Sequence, residues 1–400
     1  MSIFEGFLSA PETLEAFGDQ AIVAGMLRFE AALARAQAAE GLIPPDAARS
    51  IAASCRVELF DVAKIVRDSA CAGSIAIPLV RALTEAVALF NADAARHVHH
   101  ASTSQDVVDT AMALATREAV ALLDADLARA VQALLALAER HSDTPMLART
   151  LMQPASVTSF GLKCAGWAAP LVRGRSRLHA AAGRALQLQL GGPVGTLAQM
   201  PPAQGAAVRR RMAQELGLAD PGGSWHTQRD EWVALGCELG VIAGSLGKIA
   251  GDIVLLGQHE VGEVAEPHEP GRGAATTMPH KRNPVASMVA LAAAQRAPQR
   301  VAALLAAMVQ QHERGLGSMQ TELAEWPQLL RCAHAGARAL AVALPGLQVR
   351  PERMAGHIAS ASAGLPRAVA DEWFSPALAQ GAGRIAREQV RALREWQPPQ

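Results

Sequence analysis

Residues 228–260 read QRDEWVALGCELGVIAGSLGKIAGDIVLLGQHE, and this segment predicts the main feature of the fold. Its large apolar residues are spaced alternately three and four positions apart: Trp232, Leu235, Leu239, Ile242, Leu246, Ile249, Ile253 and Leu256. This spacing is typical of a long helix that packs along its whole length against other helices. At 1.5 Å per residue, such a helix is about 45 Å long.

A second stripe of the same segment consists of glycines, at positions 236, 240, 244, 247 and 251. Each glycine lowers helix propensity by about 1 kcal/mol relative to alanine. We therefore expect a neighbouring backbone to approach this stripe closely. Because the apolar seam is longer than one compact domain usually covers, we also expect it to contact other subunits of an oligomer.

Most of the remaining chain is rich in alanine and has helical spacing. Residues 104–140, 155–185, 284–312 and 318–343 read as helices, and no segment has convincing strand alternation. The sequence therefore predicts an all-α fold in three parts. These are an N-terminal helical domain over 1–103, a central long-helix bundle over 104–344, and a short C-terminal helical domain over 345–400.

Composition narrows the class of protein. The chain has 400 residues, with 37 basic and 37 acidic side chains, so net charge gives no reason to expect nucleic acid or an anionic membrane as a partner. The five cysteines are scattered and contain no CxxC pair, which favours reduced thiols over disulfides or a metal site. The first residues lack the pattern of a signal peptide, and charges interrupt the most apolar segment. We expect a cytoplasmic protein.

Residues 99–106, HHASTSQD, form the first candidate binding stretch. Thr103 and Asp106 stand three apart and predict a capping box at the start of a helix. Alternatively, His99, the hydroxyls of Thr103 and Ser104, and the free N–H groups there could hold a carboxylate. Spacing alone favours the cap.

Two further stretches have the same two interpretations. In RTLMQP, residues 149–154, Thr150 and Gln153 could bond a substrate or simply cap a helix that begins near Pro154. In WHTQRD, residues 225–230, His226 could bind an anion or move a proton near neutral pH. The alternative, which the segment alone favours, is that His226 is an isolated surface histidine that neither binds an anion nor moves a proton.

The fourth candidate is the loop GAATTMPHKRNP, residues 273–284, which has three possible cations in a row after Met278 and Pro279. Asn283 and Pro284 predict the cap and first residue of a helix. Capping does not explain the cations and glycines before them. Arg314 ends a later segment, where it could bind a ligand or face the helix dipole.

Together these stretches resemble the fumarase/aspartase superfamily, and within it the family of bacterial 3-carboxy-cis,cis-muconate cycloisomerases. The matches run in order from about residue 70 to 365. They are AIPLVRALTE at 76–85, TSQDVVDTA at 103–111, FGLKCAGW at 160–167, SWHTQRD at 224–230, AGSLGKIAGDI at 243–253, TMPHKRNPV at 277–285 and QHERGLG at 311–317.

The resemblance implies a homotetramer whose central helices form one bundle and whose active sites each draw on three subunits. It implies a small polycarboxylate substrate and no metal or organic cofactor. The family reaction adds a carboxylate oxygen across an activated double bond, or reverses that addition, through a carbanion alpha to a carboxylate, as in aromatic catabolism. Pre-placed donors and cations stabilise such charge.

The resemblance also carries site residues onto this chain. We assign catalytic roles to Thr276, Lys281 and His226. The expected substrate-binding residues are His99, Thr103, Ser104, Thr150, Gln153, Arg229, Met278, Asn283 and Arg314.

Two positions depart from the superfamily. The proton-transferring serine of the loop, six residues before its lysine, is Ala275 here, followed by Thr276. A methyl group cannot move a proton, and such a loss commonly costs about 10²–10⁴-fold in rate. Leu151 stands where fumarases and the C–N lyases have a histidine, which cycloisomerases also lack.

These departures leave three interpretations. The favoured one is a cycloisomerase-like enzyme. The alternatives are a diverged lyase of the same superfamily that acts on another polycarboxylate, and a relative that binds an anionic metabolite without turning it over.

Overall fold

The computed structural model of the protein describes residues 3–268, 271, 273–274, 276–278 and 280–396. Short and medium helices fill the chain before residue 104. They are α1 (Ile3–Gly6), α2 (Pro11–Ala16), α3 (Asp19–Ala39), α4 (Pro45–Ser54), α5 (Val62–Ala72), α6 (Ala76–Phe90) and α7 (Ala92–Ala95).

Long helices dominate the middle of the chain. They are α8 (Ser104–Arg140), α9 (Phe160–Ala185), α10 (Pro202–Leu216), α11 (Asp230–Gly257), α12 (Val285–Ala307) and α13 (Ser318–Ala343). The helices predicted over 104–140 and 318–343 are confirmed at both ends. Three more helices follow: α14 (Pro351–Ser362), α15 (Arg367–Trp373) and α16 (Leu378–Arg394). The all-α fold class is therefore confirmed.

Two small antiparallel sheets interrupt the helices. Strands β1 (Pro145–Thr150) and β2 (Gln153–Ser159) form a hairpin, and β3 (Val264–Ala265) pairs with β4 (Gln348–Val349). The prediction of a helix from residue 155 is wrong for residues 155–159, which belong to β2. Helix α9 begins only at Phe160, where the Ser159 hydroxyl accepts the N–H of Leu162 at 3.1 Å.

The apolar seam of α11 lies in the core of the same chain. All eight predicted seam residues are buried, and the helix packs against α9, α12 and α13. Gly236, for example, faces side chains of Leu304, Trp326 and Leu329. The expectation that this seam contacts other subunits is wrong, because the chain's own helices cover it. Any argument for an oligomer must come from other residues.

The glycine stripe allows α11 and α12 to approach closely. A Cβ added at Gly247 would lie 2.4 Å from the Cβ of Ala294, and one added at Gly240 would lie 2.8 Å from Val301. The predicted close neighbour is therefore α12 at these two positions. Gly244 has no atom within 4 Å of an added Cβ, so the stripe is not uniformly enclosed.

Among the described residues, α11 is the one helix long and apolar enough to cross a membrane by length and composition. Its seam is buried against other helices, as in the core helix of a soluble protein. Because α11 runs along the bundle from Asp230 to Gly257, its length determines how far apart the two ends of the bundle lie.

We predict that Gly247→Ala destabilises the protein. The added methyl would overlap Ala294, and overpacking of this kind costs about 1–3 kcal/mol of unfolding free energy. The matched control is Gly356→Ala in α14, where an added Cβ meets nothing within 4 Å. That change should stabilise by up to about 1 kcal/mol through helix propensity. Urea unfolding of both variants checks this, and equal effects would contradict the packing described.

Candidate active site

The predicted capping box is present at the start of α8. Thr103 is the N-cap residue, and its backbone N–H donates to Asp106 Oδ2 at 3.0 Å. Ser104 is the first residue of the helix, and both hydroxyl-bearing residues are half-buried. The cap therefore fixes the position of two predicted substrate-binding residues.

Asp106 does more than close this cap. Its carboxylate is fully buried and accepts the N–H groups of Gly191 and Gly192, each at 2.9 Å. Its Oδ1 also lies 2.7 Å from Nε2 of His226. One carboxylate thus joins the start of α8, the loop after α9 and the segment before α11. His226 is buried, not on the surface as spacing alone suggested.

His99 is held beside this cluster by a second buried carboxylate. Its Nδ1 lies 2.6 Å from Oε1 of Glu30 on α3, and its backbone is left-handed at φ 59°. Burial disfavours the charged imidazole. The carboxylate of Glu30 outweighs this effect, with help from Asp106, so the pKa of His99 lies above its ordinary value.

Arg314 completes this end of the molecule. Its Nε donates to Oε1 of Gln105 at 2.9 Å, and Gln105 in turn donates to the carbonyl oxygen of His226 at 3.0 Å. The structure therefore brings together five predicted site residues at the start of α8. We call this group the histidine cluster: His99, Thr103, Ser104, His226 and Arg314.

Arg229 lies beneath the histidine cluster and is buried. Its guanidinium forms salt bridges to Asp109 and Glu322 and stacks 4.3 Å over the ring of Trp225. Burial raises the pKa of Glu322, although Arg229 opposes the shift. Sequence reasoning missed Asp109 and Glu322. Only the TSQDVVD spacing, which puts Asp109 one helical turn after Asp106, could have indicated the first of them.

Thr150 and Gln153 lie on the hairpin, not at a helix start. They are the last pair of residues in the β1–β2 register, joined by Leu151 and Met152 at φ 49° and 66°. Positive φ at both loop positions is characteristic of a type I′ turn. Leu151 and Met152 are 97% and 69% exposed, so the hairpin tip projects two apolar side chains into solvent.

A buried ion pair ties the hairpin to the segment that leads into the loop. Arg149 donates to both carboxylate oxygens of Glu263, at 3.1 and 2.8 Å. Glu263 is fully buried and also contacts Nδ1 of His357 on α14 at 2.8 Å. The hairpin and the start of the 262–284 segment therefore lie at the same end of the bundle.

The loop itself closes on its own backbone. Ala274 pairs with Arg282, and the N–H of Asn283 donates to the carbonyl oxygen of Gly273 at 2.9 Å. Glycine is needed at 273, because φ is 68° and an added Cβ would lie only 2.4 Å from the backbone carbonyl oxygen of Asn283. Thr276, Met278 and Lys281 are exposed. Ala275 and Pro279 lie outside the described residues.

The predicted cap of α12 is wrong. The helix begins at Val285, and Asn283 does not cap it. Instead Glu266 reaches back from the other end of the loop and accepts the N–H groups of Ala286 and Ser287 at 3.0 and 2.7 Å. A carboxylate suits the positive end of the helix dipole. Glu266 thereby fastens the two ends of the loop together.

Lys281 and Asn283 line a cavity of about 570 Å³ at the C-terminal end of α11. The walls include Ile253 and Gly257 of that helix, and also Glu266 and Arg350. None of the histidine cluster lines this cavity. A carboxylate ligand would meet the ammonium group of Lys281 there.

The predicted site is thus divided between opposite ends of α11. His226 precedes its first residue, Asp230, and the Lys281 cavity surrounds its last turns. The helix has 28 residues, which at 1.5 Å each separates the two groups by about 40 Å. We call the second group the loop end: Thr150, Gln153, Thr276, Met278, Lys281 and Asn283.

Comparison with known proteins identifies the class. A family described as lyase matches residues 7–299. The chain is 46% identical over 385 residues to a 3-carboxy-cis,cis-muconate cycloisomerase of Pseudomonas aeruginosa, covering 96% of this chain and 83% of the relative. The chain belongs to this lyase family and, with it, to the fumarase/aspartase superfamily.

Solved structures similar to this chain come from the same family of enzymes. The 3-carboxy-cis,cis-muconate lactonizing enzyme from Pseudomonas putida has a TM-score of 0.85 and 39% identity, covering 99% of this chain and 91% of that one. The β-carboxy-cis,cis-muconate cycloisomerase from Acinetobacter calcoaceticus has a TM-score of 0.87 and 30% identity, covering 98% and 100%. The chain is therefore a cycloisomerase-like enzyme of the superfamily.

We predict that Arg229→Met destabilises the protein strongly, because it leaves Asp109 and Glu322 as uncompensated buried charges. Breaking a buried pair in this way costs about 3–5 kcal/mol of unfolding free energy. The control is Arg184→Met, whose salt bridge to Glu231 is solvent-exposed and should contribute no more than about 1 kcal/mol. Thermal unfolding distinguishes them. A small effect at Arg229 would mean that its two carboxylates do not depend on it.

Proposed function

We propose that the protein converts 3-carboxy-cis,cis-muconate to a lactone in the cytoplasm, by adding one substrate carboxylate across a conjugated double bond. The similar enzymes bear this activity in their names. The loop TMPHKRNP, at 277–284, and the exposed cation Lys281 support it. A substrate with three carboxylates needs several cationic and hydrogen-bonding groups around it.

One observation carries the proposal for how the site is built. The histidine cluster and the loop end lie about 40 Å apart in one chain, although a small substrate spans only a fraction of that distance. We therefore propose that each active site joins the loop end of one subunit to the histidine cluster of another. Two chains that lie antiparallel along α11 satisfy this requirement.

The assembly we propose is a homotetramer with active sites shared between subunits. The exposed Leu151 and Met152 at the hairpin tip support it, because two large apolar side chains in solvent are unfavourable unless another surface covers them. The three-part division at 103/104 and 344/345 remains part of the proposal. Static light scattering would read a monomer near 41.8 kDa if the assembly is wrong.

Within such a site, Lys281 and Asn283 stabilise the negative charge that develops as the carbon–oxygen bond forms. Thr150 and Gln153 offer hydrogen bonds from the same subunit, and Met278 lies on the same loop. From the other subunit, Thr103, Ser104 and Arg314 hold the remaining carboxylates. Arg229 does not contact the substrate in this proposal. Its salt bridges to Asp109 and Glu322 hold in place the segment that bears His226.

Two groups predicted from the sequence are candidates for moving the alpha proton. Thr276 carries an exposed hydroxyl next to the position where Ala275 replaces the serine. A threonine hydroxyl is a poor acid or base unless neighbours stabilise its alkoxide. The second candidate, His226, is only 3% exposed, and its Nε2 contacts the carboxylate of Asp106.

We predict that the purified protein consumes 3-carboxy-cis,cis-muconate with loss of the conjugated diene absorbance. Lys281→Met should weaken substrate binding by about 1.5–3 kcal/mol, the scale of one charged hydrogen bond. The control is Lys64→Met, which removes an exposed lysine paired with Asp68 on α5. Ultraviolet assays and calorimetry measure both effects.

Appearance of a new enoate from another polycarboxylate, with no loss of diene absorbance, would instead identify an eliminating lyase. Unchanged affinity in Lys281→Met would mean that the loop does not contact the substrate.

A further inference from the structure

We propose that His99, oriented by the buried carboxylate of Glu30, is the group that moves the alpha proton. This inference rests on the proposed function and names a residue that the sequence pointed to only as a binding group. The chemistry requires some such group, because Ala275 has no proton to give. The geometry of a histidine on a buried carboxylate supplies one.

The contact fixes which nitrogen reacts. Nδ1 of His99 donates to Oε1 of Glu30 at 2.6 Å, which leaves Nε2 as the nitrogen that exchanges a proton with substrate. The carboxylate also holds the plane of the ring. In the addition direction, the substrate carboxylate oxygen bonds to one carbon of the double bond, the π bond breaks, and its electron pair moves to the neighbouring carbon, which is alpha to another carboxylate. That carbanion takes the Nε2 proton, and neutral imidazole remains. Water then restores the proton.

The charge of Glu30 is directed at His99. The side chain of Glu30 is fully buried, and in the described part of the chain its Oε2 has no hydrogen-bond partner. Asp106, by contrast, shares its charge among backbone N–H groups as well as His226. Glu30 is therefore free to stabilise an imidazolium, whereas Asp106 mainly organises the backbone around it.

Exposure and backbone conformation favour the same residue. The side chain of His99 is 19% exposed and that of His226 is 4% exposed, so a ligand reaches His99 more readily. A left-handed φ of 59° at a non-glycine residue costs free energy and concentrates at functional sites. The fold maintains this conformation four residues before the cap of α8.

Two carboxylates act on the imidazole, Glu30 from α3 and Asp106 from α8, and both favour its charged form. Glu30 itself faces Cys55, whose thiol pKa is raised by burial, and Arg35 acts on the same thiol. The addition direction needs the imidazolium. Its rate should therefore be constant below the pKa of His99 and should fall as pH rises through it.

The test uses the full-length enzyme and its pH–rate profile. His99→Asn should lower kcat by about 10²–10⁴-fold, the usual contribution of a general acid or base, with a much smaller change in KM. Glu30→Gln keeps the shape but removes the charge. It should move the falling limb of kcat to lower pH by about one unit. NMR titration of the His99 ring should show the same shift in the absence of substrate.

His97→Asn, which removes a nearby imidazole from the same turn, serves as the control and should retain wild-type kcat. Circular dichroism monitors the folding of each variant. If Glu30→Gln fails to fold, Glu30→Asp, with a shorter carboxylate, should give a partial shift of the same sign.

Three outcomes would contradict the proposal, and each points to a different cause. A His99→Asn enzyme with wild-type kcat and raised KM would make His99 a binding residue and overturn the proposal. Loss of turnover in Thr276→Val, with His99→Asn still active, would assign the proton to the loop hydroxyl. A wild type that fails to turn over the muconate would overturn the proposed function, and this proposal with it.

Discussion

The length of α11 is the constraint on which the structure of the site depends. Its seam is buried by α9, α12 and α13, and close packing at Gly240 and Gly247 holds it against α12. A helix packed in this way is a rigid spacer. It fixes the histidine cluster at one end and the Lys281 cavity at the other, so one chain cannot bring both groups to one small substrate.

Each end is organised by carboxylates that are buried or, in the case of Glu266, half-buried. Asp106 and Glu30 hold His226 and His99, and Glu263 holds the hairpin through Arg149. Glu266 fastens the loop to the start of α12. A buried charge is costly unless it is paired or hydrogen-bonded. These four carboxylates therefore restrict the backbone at the histidine cluster and at the loop end. Other side chains, such as Lys281, are left to contact the ligand.

Much of this could be predicted from the sequence, and for physical reasons. The seam of α11, the capping box of Thr103 and Asp106, and the helical spacing over 104–140 and 318–343 are all local patterns, and each predicted the element that the structure has. The hairpin at 145–159 was missed because Leu151 and Met152 occupy a type I′ turn, where Asn-Gly is the usual signal. Glu266 as the cap of α12 and Glu30 as the partner of His99 were missed because each pairing joins residues far apart in sequence. Spacing carries no information about such contacts.

The central claim is that each active site combines the loop end of one subunit with the histidine cluster of another. It is tested most directly by co-expressing two variants that each damage one half of the site, Lys281→Met and His99→Asn. Mixed oligomers should regain activity, because some sites then receive both intact halves. The pair Lys281→Met and Asn283→Ala, which damages the same end twice, should regain none. Mixed oligomers as inactive as either parent, in a preparation whose wild type is active, would contradict the account.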